Sequence, residues 1–514
     1  MSENKSLRIT KNTTFLYIRL LFLLIINLIS VRLLLDTLGE SDYGLYNVVA
    51  GIVTMLSFVT TALQTSTQRY YSYYLGESNG SDLRKVFSAS LEIYILFAIV
   101  VIVLGESLGL WFINNQLNIP SERMVAANYI YQFSIVSFAL TILSLPYSSA
   151  VIANEDMNIY AAISISEGVL KLSGAIILYY VPAHYDKLIL YGLFLLLINS
   201  TKEFTYIYLA RKRYTECHYV NIKRNEFRKP LSSFAGWTMY GQIAGMLNNQ
   251  GNTILVNRFF GTIVNASRAV SLQISSAIYS FCGGFITAIK PPIVKSYVEG
   301  DYAYMFKVFY FGNKFLIYSL LIITIPFFFE METILKLWLK NVTADMIVFS
   351  RLVLLYTIII LLHEPITILI QAIGNVKKYY LLVDTISLLS LPLTYAAFKG
   401  GFSAQYNYYV MILVFALAHI VRLALLRHNF RYFSIKSYLL NFFAPAIIVL
   451  LSTSMTISLF RSYINNEILR LFLTICISTI LIITIVYAII LNKNEKLFLK
   501  RIVQSFMGKM KQHQ

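Results

Sequence analysis

The chain has 514 residues, 57% of them apolar and only 13% charged, with a formal net charge of +18 and a mean hydropathy of +0.64. A soluble domain carries about 25% charged residues, which excludes water as the solvent for most of this surface. The apolar residues instead form repeated runs of roughly 20, the length that crosses about 30 Å of hydrocarbon at 1.5 Å per residue.

Residues 1–14 are polar and basic and lead into a run of spanning length from Phe15. No small-residue cleavage site follows, so this run is expected to be the first transmembrane helix and not a signal peptide. A polar, glycine-bearing break, LGESDYGLYNVV (38–49), comes next and reads as a tight turn on the outer face. Fourteen spans are expected in all, at 15–37, 44–69, 86–113, 124–151, 158–181, 187–209, 231–256, 265–290, 306–330, 345–371, 379–398, 405–427, 437–460 and 468–491. The runs are unbroken where a membrane barrel would alternate over about 10 residues. The expected class is therefore an all-α polytopic membrane protein.

Orientation follows from the basic residues. With both termini in the cytoplasm, 27 of the 43 Lys and Arg fall at inner ends and loops, 7 at outer ones and 9 within spans. This is the positive-inside pattern. It accounts for the net charge by topology and anionic headgroups, including the basic run 211–230, and leaves no call for nucleic acid. Cys217 lies in that loop and Cys282 and Cys476 in separate spans, without metal-ligand spacing. No P-loop and no paired carboxylates occur, so no catalytic residue, metal or cofactor is expected, and the chain does not read as an enzyme.

The break at Gly39 returns. At an offset of 222, Gly39 falls on Gly261 and LRKVF (83–87) on MFKVF (305–309). After three residues are lost, Pro146 and Ala153 match Pro365 and Ala372. Six spans separate equivalent helices, an even number, so the copies are parallel repeats related by an axis along the membrane normal. The chain divides into a six-helix lobe (1–209), a basic linker (210–230), a second six-helix lobe (231–430), spans 13 and 14 (431–491) and a basic tail (492–514). Two lobes facing across a cleft are the plan of an alternating-access transporter.

Charges within spans mark its interior, because a lipid-facing Arg or Lys at mid-bilayer costs about 3 kcal/mol on insertion scales and more than 10 in simulations. Lys202, Arg422 and Arg470 lie near span ends and are expected to snorkel, as is Arg32. On a helical wheel Ser30 lies about 20° and Asn27 about 80° from Arg19. Arg268 shares a face with Ser271, Ser275, Tyr279 and Gly283. Small residues on such stripes serve tight packing, which leaves the arginines unexplained, so Arg19 and Arg268 are expected to line a central cavity. Lys171 is a further cation, one turn from Glu167 and able to pair with it. Glu92 and Lys314 hold equivalent repeat positions with opposite charge, a candidate gate between lobes. Asp384, Glu364 and Glu92 are candidates for coupling to H⁺ or Na⁺. Pro146, Pro365 and Pro392 lie within spans and are expected to bend them.

Four stretches carry a resemblance: LGESDYGLYNVVAGIV, TQRYYSYYLGE, WTMYGQIAGMLNNQGNTILVNRFFG and IKPPIVKSYVEGD. Together, in this order, they resemble bacterial polysaccharide flippases, the O-antigen and capsule repeat-unit translocases of the multidrug/oligosaccharidyl-lipid/polysaccharide exporter superfamily. The resemblance implies a V-shaped transporter in the bacterial cytoplasmic membrane that turns over undecaprenyl-diphosphate-linked oligosaccharide. It also implies that Arg19 and Arg268 sit where related flippases place cavity arginines, and that the glycan polymerase of the pathway is a partner. Some relatives hold sodium between helices 7, 11 and 12, where this chain has Asn248, Asn249, Asn252 and Asp384 without a full ligand set. Arginine suits a diphosphate in low dielectric, being bidentate and permanently charged. A multidrug exporter of the same superfamily is the rival reading. A membrane glycan polymerase is a weaker one, since the largest outer loop (331–344) is only about 14 residues.

Overall fold

Hydrocarbon offers no partner to a free backbone N–H or C=O, so apolar runs of this length fold as helices that satisfy themselves. The computed structural model describes residues 2–77, 80–117, 119–182, 184–222, 227–339, 341–492 and 495–496. Among these residues there is no strand. The first lobe comprises α1 (Lys11–Gly39), α2 (Ser41–Thr54 continued by Ser57–Gly76), α3 (Asp82–Asn115), α4 (Ser121–Ala153), α5 (Met157–Tyr180) and α6 (Lys187–Arg213). The second comprises α7 (228–260), α8 (Ile263–Val298), α9 (Tyr302–Phe329), α10 (Ala344–Ile373), α11 (Lys377–Lys399) and α12 (Tyr406–Asn429), and α13 (Ile435–Arg461) and α14 (Glu467–Ile490) follow. Every expected span is thus a helix. Thirteen, counting the two parts of α2 as one span bent by 42°, are long and apolar enough to cross a membrane. Only α7 falls short, because Asn248, Asn249, Gln250 and Asn252 interrupt it.

The expected turn at 38–49 is not a loop. Helix runs from α1 into α2 with Gly39 as the only non-helical residue, at φ 76°, ψ 168°. Its repeat partner does the same: Gly261 joins α7 to α8 at φ 79°, ψ −173°. This region of backbone space is open essentially to glycine alone. No atom lies within 4 Å of where a Cβ would stand at either position, so the requirement is purely torsional. Gly261→Ala is therefore expected to cost about 1–3 kcal/mol, read as a lowered midpoint of thermal unfolding in detergent. An unchanged midpoint would show that the break relaxes into ordinary helix.

Within the first lobe α1 packs along α5, with Leu23 and Ile26 against Gly168, while Phe87 and Tyr147 join α3 to α4 at 5.1 Å between ring centroids. The second lobe has the larger core, built on Ile289, Phe309, Leu361, Ile366, Val383 and Leu426. α13 and α14 insert Ile457 and Ile482 into it. Ion pairs fasten this last pair of helices at both ends. Fully buried Glu330, just past α9, accepts from Arg461 and Arg470 at 3.0 Å each. At the other end Lys314 of α9 donates to Glu495 at 3.0 Å. On the face far from the linker, Arg123 bridges Asp42 and Asp186, so the acid of the opening break ties the starts of α2, α4 and α6 together.

The linker, as far as residue 222, is docked on the first lobe. Arg84 donates to the Thr215 carbonyl at 3.0 Å, Val220 N–H to Ser88 Oγ at 2.9 Å and Tyr214 to Asp156 at 2.5 Å. Cys217 is buried there, and burial beside Glu216 pushes its thiol up, which keeps it protonated and unreactive. Residues 497–514 of the expected basic tail lie outside the described residues.

Candidate functional site

The two lobes meet at the linker face. Leu16 of α1 packs on Gly284 and Ala288 of α8, with Tyr17 and Phe281 at 4.9 Å between ring centroids. Ser66 of α2 donates to the Leu231 carbonyl of α7 at 3.0 Å. Buried Arg69 reaches across to the C-terminus of α10, donating to the carbonyls of Gln371 (2.8 Å) and Ala372 (3.2 Å). These are among the orphan acceptors of a helix end, where the dipole favours a cation. Gly374 caps that end at φ 89°, and a Cβ there would lie 2.2 Å from the Arg69 guanidinium. A second tie is Lys295 of α8 on Glu155 at 2.9 Å, with Arg8 on the same carboxylate at 3.2 Å. Glu155 alone among the described non-glycine residues has positive φ, 63°. Strain of this kind persists only where surrounding contacts over-determine it, and here both lobes hold it.

Inside the first lobe a cavity of about 220 Å³ lies between α2, α4, α5 and α6, lined by Tyr46, Ser134, Thr141, Glu167, Lys171 and Asn199 among others. A charge cluster borders it. Lys171 donates to Glu167 at 2.8 Å, and Lys202 lies 3.7 Å from Glu167 and 3.0 Å from Glu203. Glu203 is buried and also accepts from Thr141 (3.0 Å) and Ser144. Arg19 stacks 4.8 Å over the Tyr160 ring, within electrostatic reach of Glu167. Three cations against two carboxylates leave the cluster one positive charge in excess.

The second lobe carries a polar chain instead. Arg268 is wholly buried; it donates to Asn407 and, at 3.2 Å, to Thr253, and its guanidinium sits 5.3 Å from the Tyr408 ring. Asn407 donates to Asn252 at 2.6 Å, Asn252 to Asn248 at 2.8 Å, and Asn248 to the Ser387 carbonyl at 2.8 Å. Deeper in the lobe His363 and His419 stack at 5.0 Å between ring centroids, and Arg422 donates to Tyr379 at 3.0 Å.

Several sequence expectations are redrawn by this placement. The Arg19–Ser30 stripe turns toward α5, since Leu23, Ile26 and buried Ser30 lie on it, whereas Asn27 is exposed on another face. Arg268 faces the interior of its lobe and not an open cleft, because the Thr253 hydroxyl of α7 and the Asn407 amide of α12 draw its guanidinium inward. Ser275 is bonded to Thr357 at 2.7 Å, and Tyr279, 41% exposed, donates to Glu364. Glu92 and Lys314 do not form a gate with each other: Glu92 accepts from Arg228 at 2.6 Å, and Lys314 is spent on Glu495. Lys202, Arg422 and Arg470 do not snorkel. Each is drawn inward by a partner, Glu203, Tyr379 and Glu330 respectively. Asp384 sits in a π-helical turn (Tyr380–Asp384) pressed against Gly241, with Oδ2 lacking a hydrogen-bond partner. Asn248 and Asn252 are committed to Arg268's chain, and Asn249 is exposed. No group of three or more His, Cys, Asp or Glu able to hold a metal occurs among the described residues. Sequence reasoning gave Lys202 an interfacial role and missed Glu203, Arg69 and the Glu155–Lys295 tie, whose signals exist only once helices are placed side by side.

No family model and no curated protein matches the chain. Solved structures do. A MOP superfamily transporter from Pyrococcus furiosus, described as having a binding pocket of reversed polarity that suggests a different function, aligns at TM-score 0.71 and 13% identity over 82% of this chain and 95% of its own. An outward-facing multidrug resistance MATE transporter of that superfamily aligns at 0.69 and 12%, over 82% and 95%. A mutant of a Vibrio cholerae MATE transporter aligns at 0.68 and 13%, over 84% and 98%. These neighbours are described as transporters, and what the likeness establishes for this chain is that it shares their fold.

Proposed function

We propose that this protein turns over a lipid-linked oligosaccharide diphosphate across the bacterial cytoplasmic membrane by alternating access, coupled to H⁺ or Na⁺, as a polysaccharide flippase. The observation that carries this reading is the net-positive cluster of Arg19, Lys171 and Lys202 beside the first-lobe cavity. A diphosphate leaving water needs fixed cations and charge-assisted donors, and lysines held by Glu167 and Glu203 can exchange those carboxylates for phosphate oxygens. Asn199, Thr141 and Tyr46 offer partners for sugar hydroxyls. The lipid tail stays in the bilayer, and the pathway's polymerase receives the product at the outer face. Positive-inside topology makes the linker face cytoplasmic, so lobes joined there leave the cleft to open outward. Arg69 and the Glu155–Lys295 tie are the contacts to be broken when access reverses. Asp384, with an oxygen free of hydrogen bonds, is the acid we assign to ion coupling, with Glu364 second.

Tyr279 on Glu364 gives an aromatic and an acid of the kind that selects organic cations, which is the basis of the multidrug reading. Deleting the protein separates the two: a lipid-linked glycan accumulating on the inner leaflet supports the flippase, and drug sensitivity without accumulation supports the exporter. Lys171→Ala, whose side chain is half-exposed, is expected to keep the protein folded and to lower surface glycan about 10-fold or more. Wild-type glycan in this variant and in Arg19→Ala, at wild-type protein level, would remove the cationic-cluster reading.

A further inference from the structure

We infer that the cleft between α9, α13 and α14 is a binding site for one anionic phospholipid from the leaflet at the linker face. The site lies outside the duplicated lobes' cleft and does not rest on the transport reading. It is a cavity of about 590 Å³, within the range that holds a small organic ligand.

Its polarity is graded along the membrane normal. α9 begins at the linker face, α13 begins there and α14 ends there, so all three bring helix termini to one level. Nearest that level stand Lys307, Ser437 and Asn441, Lys314 lies about two turns deeper on α9, and the rest of the wall is mainly apolar, with Ile448 and Ile485. Lys307 and Lys314 are seven residues apart, so they share one face of α9 and lie about 10 Å apart along its axis. Lys307 has no ion-pair partner among the described residues. Asn441 donates to Ser437 at 2.9 Å, which fixes its amide at the rim. Two cations and neutral hydroxyl and amide groups over an apolar wall match a phosphate, a glycerol and an acyl chain in that order. A soluble anion would leave the apolar depth empty.

The carboxylate now on Lys314 marks where the phosphate would sit. Lys314 donates to both oxygens of Glu495 at 3.0 Å, and the Asn492 N–H donates to Glu495 at 2.8 Å. Lysine at the membrane surface attracts anionic lipid, and a phosphodiester can take the carboxylate's place on the same ammonium. Glu495 then acts as a competitor for the lipid and sets its occupancy.

The test uses the full-length protein purified in neutral detergent and offered phosphatidylglycerol or phosphatidylcholine, with retained lipid counted by native mass spectrometry. Wild type is expected to retain phosphatidylglycerol in preference. Lys307→Gln should weaken that retention about 5-fold, and Glu495→Gln should strengthen it. Because Lys314→Gln alone leaves the partly buried Glu495 without its cation, the neutral triple variant Lys307→Gln, Lys314→Gln, Glu495→Gln is the second arm, expected to abolish the preference. An unchanged preference in the triple variant, or none in wild type, overturns the proposal. So does thermal stabilisation by inorganic phosphate equal to that by phosphatidylglycerol.

Discussion

Lys202→Met is expected to destabilise the protein by about 3–5 kcal/mol, among the largest single effects in the first lobe. The substitution keeps an unbranched chain in the same space but strands Glu203, which is buried and would hold its charge with only the Thr141 and Ser144 hydroxyls for support. Removing one partner of a buried pair costs far more than removing both, because the survivor keeps its desolvation penalty. Glu203→Gln added to Lys202→Met should therefore recover most of the loss, and a double-mutant cycle on thermal unfolding in detergent measures it. Additive losses would show that the two side chains do not act as a pair.

Arg268→Met should act in the opposite sense on stability and abolish transport. Arg268 is fully buried, no acid lies on it among the described residues, and one guanidinium nitrogen has no hydrogen-bond partner. Exchanging a buried charge for an apolar chain of similar volume is often neutral or stabilising by about 1–4 kcal/mol. Against this, Asn407 and Thr253 lose a donor, at about 1–3 kcal/mol. The expected net is a stability unchanged or raised by up to about 2 kcal/mol. A cation retained at a loss in stability is the mark of a working residue. Transport assays and melting curves on one preparation decide the matter: a lowered midpoint with intact transport would make Arg268 a structural strut.

The sequence made the membrane and the helices that cross it legible, because both follow from the length of the apolar runs and the breaks between them. Even polar α7 was placed by its neighbours and by the sign of the loops on either side. The charged residues were legible only as costs. A helical wheel puts Arg19 and Ser30 on one stripe but does not say that α5 covers it. Depth along α6 suggested that Lys202 could snorkel, yet the register of α5 brings Glu167 to it, and the adjacent Glu203 completes the pair. Lys314 was compared with Glu92 because the repeat aligns them. Its real partner lies 181 residues further on, beyond the last helix, where the repeat has no counterpart. Side-chain partners across helices depend on rotation and offset, and neither leaves a mark in a single sequence.

Gly39 and Gly261 have one more implication. A loop of several residues would let the helices on its two sides move independently. A junction of one residue leaves two torsions, so turning α1 about its axis obliges α2 to swing, and α8 likewise drives α7. Leu16 of α1 and Arg69 of α2 both sit on the lobe junction. A ligand that shifts α1 near Arg19 would thus pull mechanically, through the Gly39 pivot and the bend within α2, on the arginine that holds the other lobe.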